Sequence, residues 1–231
     1  MKIDLHVHAR ERSGCATSGE EEMIQAAIAY GLDGLAFTDH QRLVPLERLA
    51  ELNRAYAPFR VLGGIEISLT EGEDVLVLGV HEPVLETERW TYPALFRFVR
   101  ERGGMLVLAH PFRYHEAIQI DIEQYPPDAI EIHSANIGAC DESRIRAVAG
   151  RLHLRLLCNS DAHNVQRVGI YYNELARVPR DEKDLLAILK AGEYACGCMA
   201  ERIAAFNEEV EERERLIRRM IAEGRVSTTA G

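Results

Sequence analysis

The chain has 231 residues, 47% of them apolar, and carries a formal net charge of −10. That length and apolar content suit one large α/β domain, and no run of about 18 uncharged apolar residues offers a membrane span. The acidic balance argues against an extended nucleic-acid surface, because neutralising phosphates requires clustered Lys and Arg.

In chain order, the first segment is KIDLHVHA over 2–9. Alternation along a strand puts Asp4, His6 and His8 on one face and Ile3, Leu5 and Val7 on the other. Two histidines and an aspartate sharing a face point to metal ligation. The strand begins at once, which leaves no room for a signal peptide. SGEEEMIQAAIAYG then reads as a helix, with Ser18 as N-cap, Glu21 as its capping-box partner and Gly31 as the stop. Strand patterns follow at GLAFTD (34–39), RVLGGIEIS (60–68), DVLVLGV (74–80), GMLVLAH (104–110), DAIEIHS (128–134) and LRLLCNS (154–160). Helical patterns at 44–57, 92–104, 141–150 and 180–192 lie among them, most with a glycine at or near the end.

Strand–helix alternation at this spacing predicts a parallel sheet closed into a barrel over 1–198. Only LTEGE separates the third and fourth strands, too few residues for a crossover helix, so that pair is expected to start like a hairpin and distort the barrel. Residues 199–231 are expected to form a helical extension. Within it, Met199 to Glu223 reads as one charge-dense helix, with Ile203, Phe206, Val210, Ile217 and Met220 near heptad positions and Arg213 interrupting the seam. It packs on the barrel or on a partner, including a second copy of the chain.

The five cysteines are scattered and make no disulfide framework. Cys158 reads as a buried strand residue, Cys196 and Cys198 as a weak soft-metal pair, and a reducing cytoplasm as the natural setting.

Function in parallel α/β folds collects at the C-terminal ends of strands. His6 and His8, Asp39 and His40, Glu66, His81, His110, Glu131 and His133, and Asp161 and His163 all fall at or beside such ends. Only His115 and His153 among the nine histidines do not. Histidine and carboxylate ligands in this number suit Zn, Mn or Fe, and they exceed what one ion requires. The economical reading is a site of two or three divalent ions, with Glu66 able to bridge two. Ions about 3.5–4 Å apart clamp an in-line phosphoryl displacement and supply hydroxide at neutral pH. Arg10, Arg12, Arg42, Arg113 and Arg167 follow these motifs closely, and one or two are expected to reach a phosphate, with Arg10, Arg42 and Arg113 foremost.

DLHVHA, TDH, GIE, HP and SDAH, in this order over residues 2 to 170, resemble the motifs of the PHP (polymerase and histidinol phosphatase) superfamily. The resemblance implies a distorted seven-stranded (β/α)7 TIM-like barrel, up to three Zn, Mn or Fe ions and phosphoesterase activity. It implies ligands at His6, His8, His40, Glu66, His110, Asp161 and His163. DVLVLGVHEPV is similar to a segment of the family's trinuclear bacterial phosphatases, which adds His81, although a simple hairpin of the third and fourth strands would leave it well below Glu66. Where relatives often carry His or Asp for a third ion, the counted position is Cys15, which favours Zn. His133 stands where relatives often carry Asn, and ligation, phosphate binding and proton donation all stay open for it.

The expected activity is hydrolysis of a small phosphomonoester by metal-activated hydroxide, with Asp39 or His133 orienting water or protonating the leaving oxygen. Two other readings compete. An amidohydrolase would need a bridging lysine where only Lys2, Lys183 and Lys190 exist. A non-catalytic module would have to keep a full ligand set without using it.

Overall fold

The structure is a computed structural model, and it describes residues 1–138 and 140–205. The chain divides into two units, Met1–Cys198 and Met199–Gly231. In the second unit a helix begins at residue 200. The expected heptad positions Phe206, Val210, Ile217 and Met220, and the interrupting Arg213, lie outside the described residues.

The first unit carries β1 (Lys2–Val7), α1 (Glu20–Ala29), β2 (Gly34–Phe37), α2 (Leu46–Ala55), β3 (Arg60–Ser68), β4 (Asp74–Leu78), α3 (Val84–Thr87), α4 (Tyr92–Glu101) and β5 (Met105–Leu108). These are followed by β6 (Ala129–His133), α5 (Glu142–Leu152), β7 (Arg155–Cys158), β8 (Tyr171–Leu175), α6 (Glu182–Ala191) and β9 (Tyr194–Cys198). One mixed sheet runs in the order β7-β6-β5-β4-β3-β2-β1-β8-β9. It is a nearly closed, barrel-like sheet of nine strands rather than the expected (β/α)7 unit. The two additional strands, β8 and β9, pair antiparallel to β1 and to each other.

The five-residue junction has the consequence its length dictates. β4 pairs antiparallel with both β3 and β5, Ser68 opposite Asp74 and Gly64 opposite Leu78. The start of β4 therefore lies beside the end of β3, and its end lies at the opposite mouth. β1, β2 and β3 are mutually parallel, as are β5, β6 and β7.

Two apolar layers hold the sheet. Ile65, Val75, Val77, Leu106, Leu108 and Ile130 pack outward against Tyr92, Leu95 and Val99 of α4 and Ile145 of α5. Leu76, Leu78, Met105, Val107, Ala129 and Leu157 form a second layer with Leu185, Leu186, Ile188 and Leu189 of α6. α6 is well bounded. Asp181 accepts from the Asp184 amide at its start, and Gly192 ends it in the left-handed region. α1 starts differently from expectation: Gly19 is the N-cap, the Glu22 carboxylate accepts its amide at 2.6 Å, and Ser18 accepts instead from Val165.

Gly79, just past β4, has φ +76°, and a Cβ there would sit 2.4 Å from Leu186 of α6. Gly79→Ala is expected to destabilise the protein by about 1–2 kcal/mol, from left-handed backbone strain. Urea denaturation measures it, and Leu186→Ala on top of Gly79→Ala should leave the backbone part of the loss in place.

Candidate metal centre

The open mouth of the barrel gathers the ends of β1, β2, β3, β5 and β7. Two isolated parallel bridges tie the chain just beyond them, Val7 to Ala162 and His40 to Glu66. The His8 amide donates to the Ala162 carbonyl at 2.9 Å, which draws the segment after β7 onto β1. His110 and Asp161 take positive φ (25° and 50°), as do Gln41 and Phe112. Such backbone is uncommon for residues other than glycine and clusters at functional sites.

These constraints bring His6, His8, His40, Glu66, His110, Asp161 and His163 together. Glu66 Oε2 lies 2.8 Å from His40 Nδ1, 3.3 Å from His8 Nε2 and 3.4 Å from His6 Nε2. Its other oxygen lies 2.9 Å from His110 Nε2. Asp161 Oδ1 lies 3.1 Å from His8 Nε2 and 3.3 Å from His6 Nε2. The His8 ring stacks between those of His40 and His163, at 4.3 and 4.2 Å. Glu66 and His6 are fully buried, yet Glu66 Oε2 and His6 Nε2 have no hydrogen-bond partner. Buried polar atoms without partners are costly. Ligand atoms about 2.0–2.1 Å from a tetrahedral ion stand roughly 3.3 Å apart, the spacing seen here. The donors therefore fit divalent cations. Four groups have ligand atoms mutually close enough: His8, His40 and His163; His6, His110 and Asp161; His6, His8 and Glu66; and Glu66, Asp74 and His110.

The electrostatics run the same way. Burial opposes charge on His6, but Asp161, Glu131 and Glu66 outweigh it and hold its pKa well above the ordinary value. Burial likewise works against the carboxylates, and His6 with the neighbouring imidazoles holds Glu66 and Asp161 well below theirs. Burial and the adjacent His8 push His163 down to about 4. A set of buried carboxylates and imidazoles that demands positive charge is the environment a cation relieves.

Behind the donors stands a second layer. Glu131 Oε1 lies 3.0 Å from His6 Nδ1 and accepts from Asn159 Nδ2 at 2.7 Å; its other oxygen accepts the His110 amide at 2.9 Å. Ser13 Oγ sits 3.3 Å from His8 Nδ1, donates to Asp39 at 2.7 Å and accepts the His40 amide at 3.1 Å. Asp4 does not join the histidines on its strand. A register shift falls between Asp4 and Val7, and the Asp4 carboxylate takes the amides of Ser160 and Gly169 at 3.0 and 2.9 Å. Burial pushes its pKa up to about 6.

Other expected site residues lie elsewhere. His81 follows β4, and because β4 runs antiparallel to β3 it sits at the opposite end of the barrel. Its Nε2 pairs with Glu182 at 2.9 Å. The residue that β4 does deliver is Asp74 at its start, 3.8 Å from His110. Cys15 is exposed and belongs to none of the ligand groups among the described residues. Asp39 is fully buried with both oxygens occupied, by the Ala9 amide, Ser13 and Arg12, each at 2.7 Å, an arrangement that suits a brace rather than a proton donor. His133 stacks on Tyr171 at 5.5 Å, outside the ligand groups among the described residues, and burial lowers its pKa. Arg10 pairs with Glu22 and Arg42 with Glu86, both at exposed positions. Arg113, an exposed residue whose side chain keeps 32% of its surface open, does reach the centre, 3.7 Å from Asp161 Oδ2, where Asn136 also donates.

Glu131→Gln keeps the shape of the support for His6 and removes its charge. It is expected to weaken divalent-cation affinity by about 10- to 100-fold, read by calorimetric titration with Mn or Zn, while far-UV circular dichroism stays unchanged.

The PHP-associated family model matches residues 142–194, from α5 into the start of β9. No curated protein matches the chain by sequence. Among solved structures, PsfC from Pseudomonas syringae superposes with a TM-score of 0.69 at 19% identity, over 94% of this chain and 98% of that one. A two-domain protein of Bacteroides vulgatus containing a predicted PHP-like metal-dependent phosphoesterase gives 0.62 at 13%, over 86% of this chain and 64% of that one. An amidohydrolase from Chromobacterium violaceum, with bound sulfate and no metal, gives 0.59 at 20%, over 72% and 89%. At these identities the structural likeness carries the fold alone. The family-model match covers less than a quarter of the chain, from α5 into β9, and the solved structures add the likeness of the barrel-like fold.

Proposed function

We propose that the chain is a metal-dependent phosphoesterase acting on a small phosphomonoester. The observation that carries this reading is the convergence on Glu66 Oε2 of three imidazole nitrogens within 3.4 Å, with that oxygen buried and in hydrogen-bond geometry with none of them. When bound, divalent ions at such a centre supply Lewis acidity and acidify a water. His6, His8, His40, Glu66, His110, Asp161 and His163 would hold them, with Asp74 at the edge beside His110.

The chain's own groups then set the substrate. The Arg113 guanidinium, on an exposed residue and 3.7 Å from Asp161, is placed to take a phosphate oxygen in a forked contact. Asp39 acts as a positioning residue, holding Ser13, and through it His8 and the His40 amide. His133 stands outside the ligand groups among the described residues and is a rim residue in this reading.

An amidohydrolase reading follows from the Chromobacterium neighbour, and the lysines weigh against it. Lys190 donates to the Gly104 carbonyl at the barrel's closed end, and Lys2 lies over the Tyr172 ring. Glu66 occupies the place where a bridging group would be needed.

The test is phosphate release from a panel of phosphomonoesters and diesters, after chelator treatment and restoration of Mn, Zn or Fe. Turnover of monoesters that requires the restored metal and vanishes in His8→Ala is expected. Arg113→Ala should raise KM by about 10-fold, the worth of one charge-assisted contact. Silence on every phosphoester, with hydrolysis of an amide or lactone panel instead, would overturn the reading.

A further inference from the structure

The two edge strands of the sheet, β7 and β9, meet without a hydrogen-bonded ladder between them among the described residues. Side chains bridge the seam instead. Tyr194 Oη donates to the Leu156 carbonyl at 3.0 Å. The Asn173 carboxamide pairs with Cys158 in place of a strand, accepting its amide at 3.1 Å and donating to its carbonyl at 2.8 Å. The one covalent tie is a disulfide between Cys158 and Cys196, whose Cα atoms lie 5.4 Å apart. Its two ends differ: Cys158 is 1% exposed, whereas Cys196 is exposed.

The buried end leads directly to the candidate metal centre. Cys158 is followed by Asn159, whose carboxamide accepts from Leu5 and Asn173 and donates to Glu131, and Glu131 orients His6 and the His110 amide. Two residues further on is Asp161. The segment that the disulfide anchors is thus the one that supplies a carboxylate ligand and the support of two histidine ligands.

We propose that Cys158–Cys196 is a reversible thiol–disulfide exchange site that latches the barrel seam and thereby tunes cation affinity at the centre. The inference does not depend on the reaction that the centre performs. In the reducing direction a low-molecular-weight thiolate attacks the exposed Cys196 sulfur, the S–S bond breaks, and Cys158 leaves and takes up a proton. A second thiol resolves the mixed disulfide, releasing Cys196 as a thiol and the small molecule as its disulfide, two electrons having passed to the protein. In the oxidising direction a low-molecular-weight disulfide is the oxidant and the same bonds form in reverse. Opening the link frees a loop of 38 residues' separation, and the hydrogen bonds of Tyr194 and Asn173 across the seam remain.

The test uses the full chain, oxidised with glutathione disulfide or reduced with a phosphine that is removed before measurement. Intact mass with thiol alkylation should show two alkylated cysteines more in the reduced form, at Cys158 and Cys196. Reduction should lower Tm by about 5–10 °C and weaken Mn affinity severalfold. Cys196→Ser should match the reduced form whether or not reductant has been applied, and Cys198→Ser should respond as the parent does. Two free thiols at Cys158 and Cys196 after glutathione disulfide treatment would overturn the proposal. So would equal Mn affinity in the oxidised and reduced parent, a comparison that needs no variant to fold. Loss of phosphoester turnover alone, with the redox response intact, would speak against the proposed reaction and leave the latch standing.

Discussion

Two buried carboxylates, Glu66 and Asp161, face His6, His8 and His110 across the mouth of the barrel, and the surrounding structure serves to keep them there. A buried carboxylate is expensive unless a cation or hydrogen bonds compensate it. The imidazoles compensate only by taking protons or by sharing a metal, and the unpartnered atoms His6 Nε2 and Glu66 Oε2 mark where compensation is incomplete. Left-handed backbone at His110 and Asp161 is the local cost of aiming both side chains inward from strand ends. The apolar layer that α6 completes at the other end of the barrel offsets such costs.

Preorganisation of the candidate centre is built from neutral and anionic groups behind the clustered histidines and carboxylates. Glu131 and Asn159 fix His6 from β6 and the end of β7, while Ser13 and Asp39 fix His8 from the loop after β1 and the end of β2. Each histidine is therefore held through the ring nitrogen that is not offered to the centre, which sets its tautomer and orientation. The two supports come from opposite sides of the mouth, so the centre is assembled only when the sheet has closed. That closure rests on the Val7–Ala162 bridge and the β7–β9 seam.

Much of this was legible in the sequence, because a histidine at the end of a short apolar run carries its position with it. His6, His8, His40, Glu66, His110, Asp161 and His163 sit at such ends, and parallel strands bring like ends together. Strand direction was harder to read. LTEGE announced a hairpin, yet the hairpin's consequence, that His81 leaves the centre and Asp74 enters it, depends on the register of β4 against β3. β8 and β9 were missed because YYNEL and YACGC lack an apolar run: their buried polar residue, Asn173, finds its partners in Cys158 and Asn159 across the seam. The Cys158–Cys196 link was equally hidden, since 38 residues separate two cysteines that only barrel closure makes neighbours. Arg10 and Arg42 followed the motifs in sequence but found nearer acids in Glu22 and Glu86.

Anomalous diffraction from crystals soaked with Mn or Zn would locate the cations directly. A metal centre built on Glu66 requires peaks at the barrel mouth within ligand distance of that residue, with at least one shared by His6, His8 or Asp161 and none at His81. Full cation occupancy elsewhere on the chain, with no peak between Glu66 and Asp161, would contradict it.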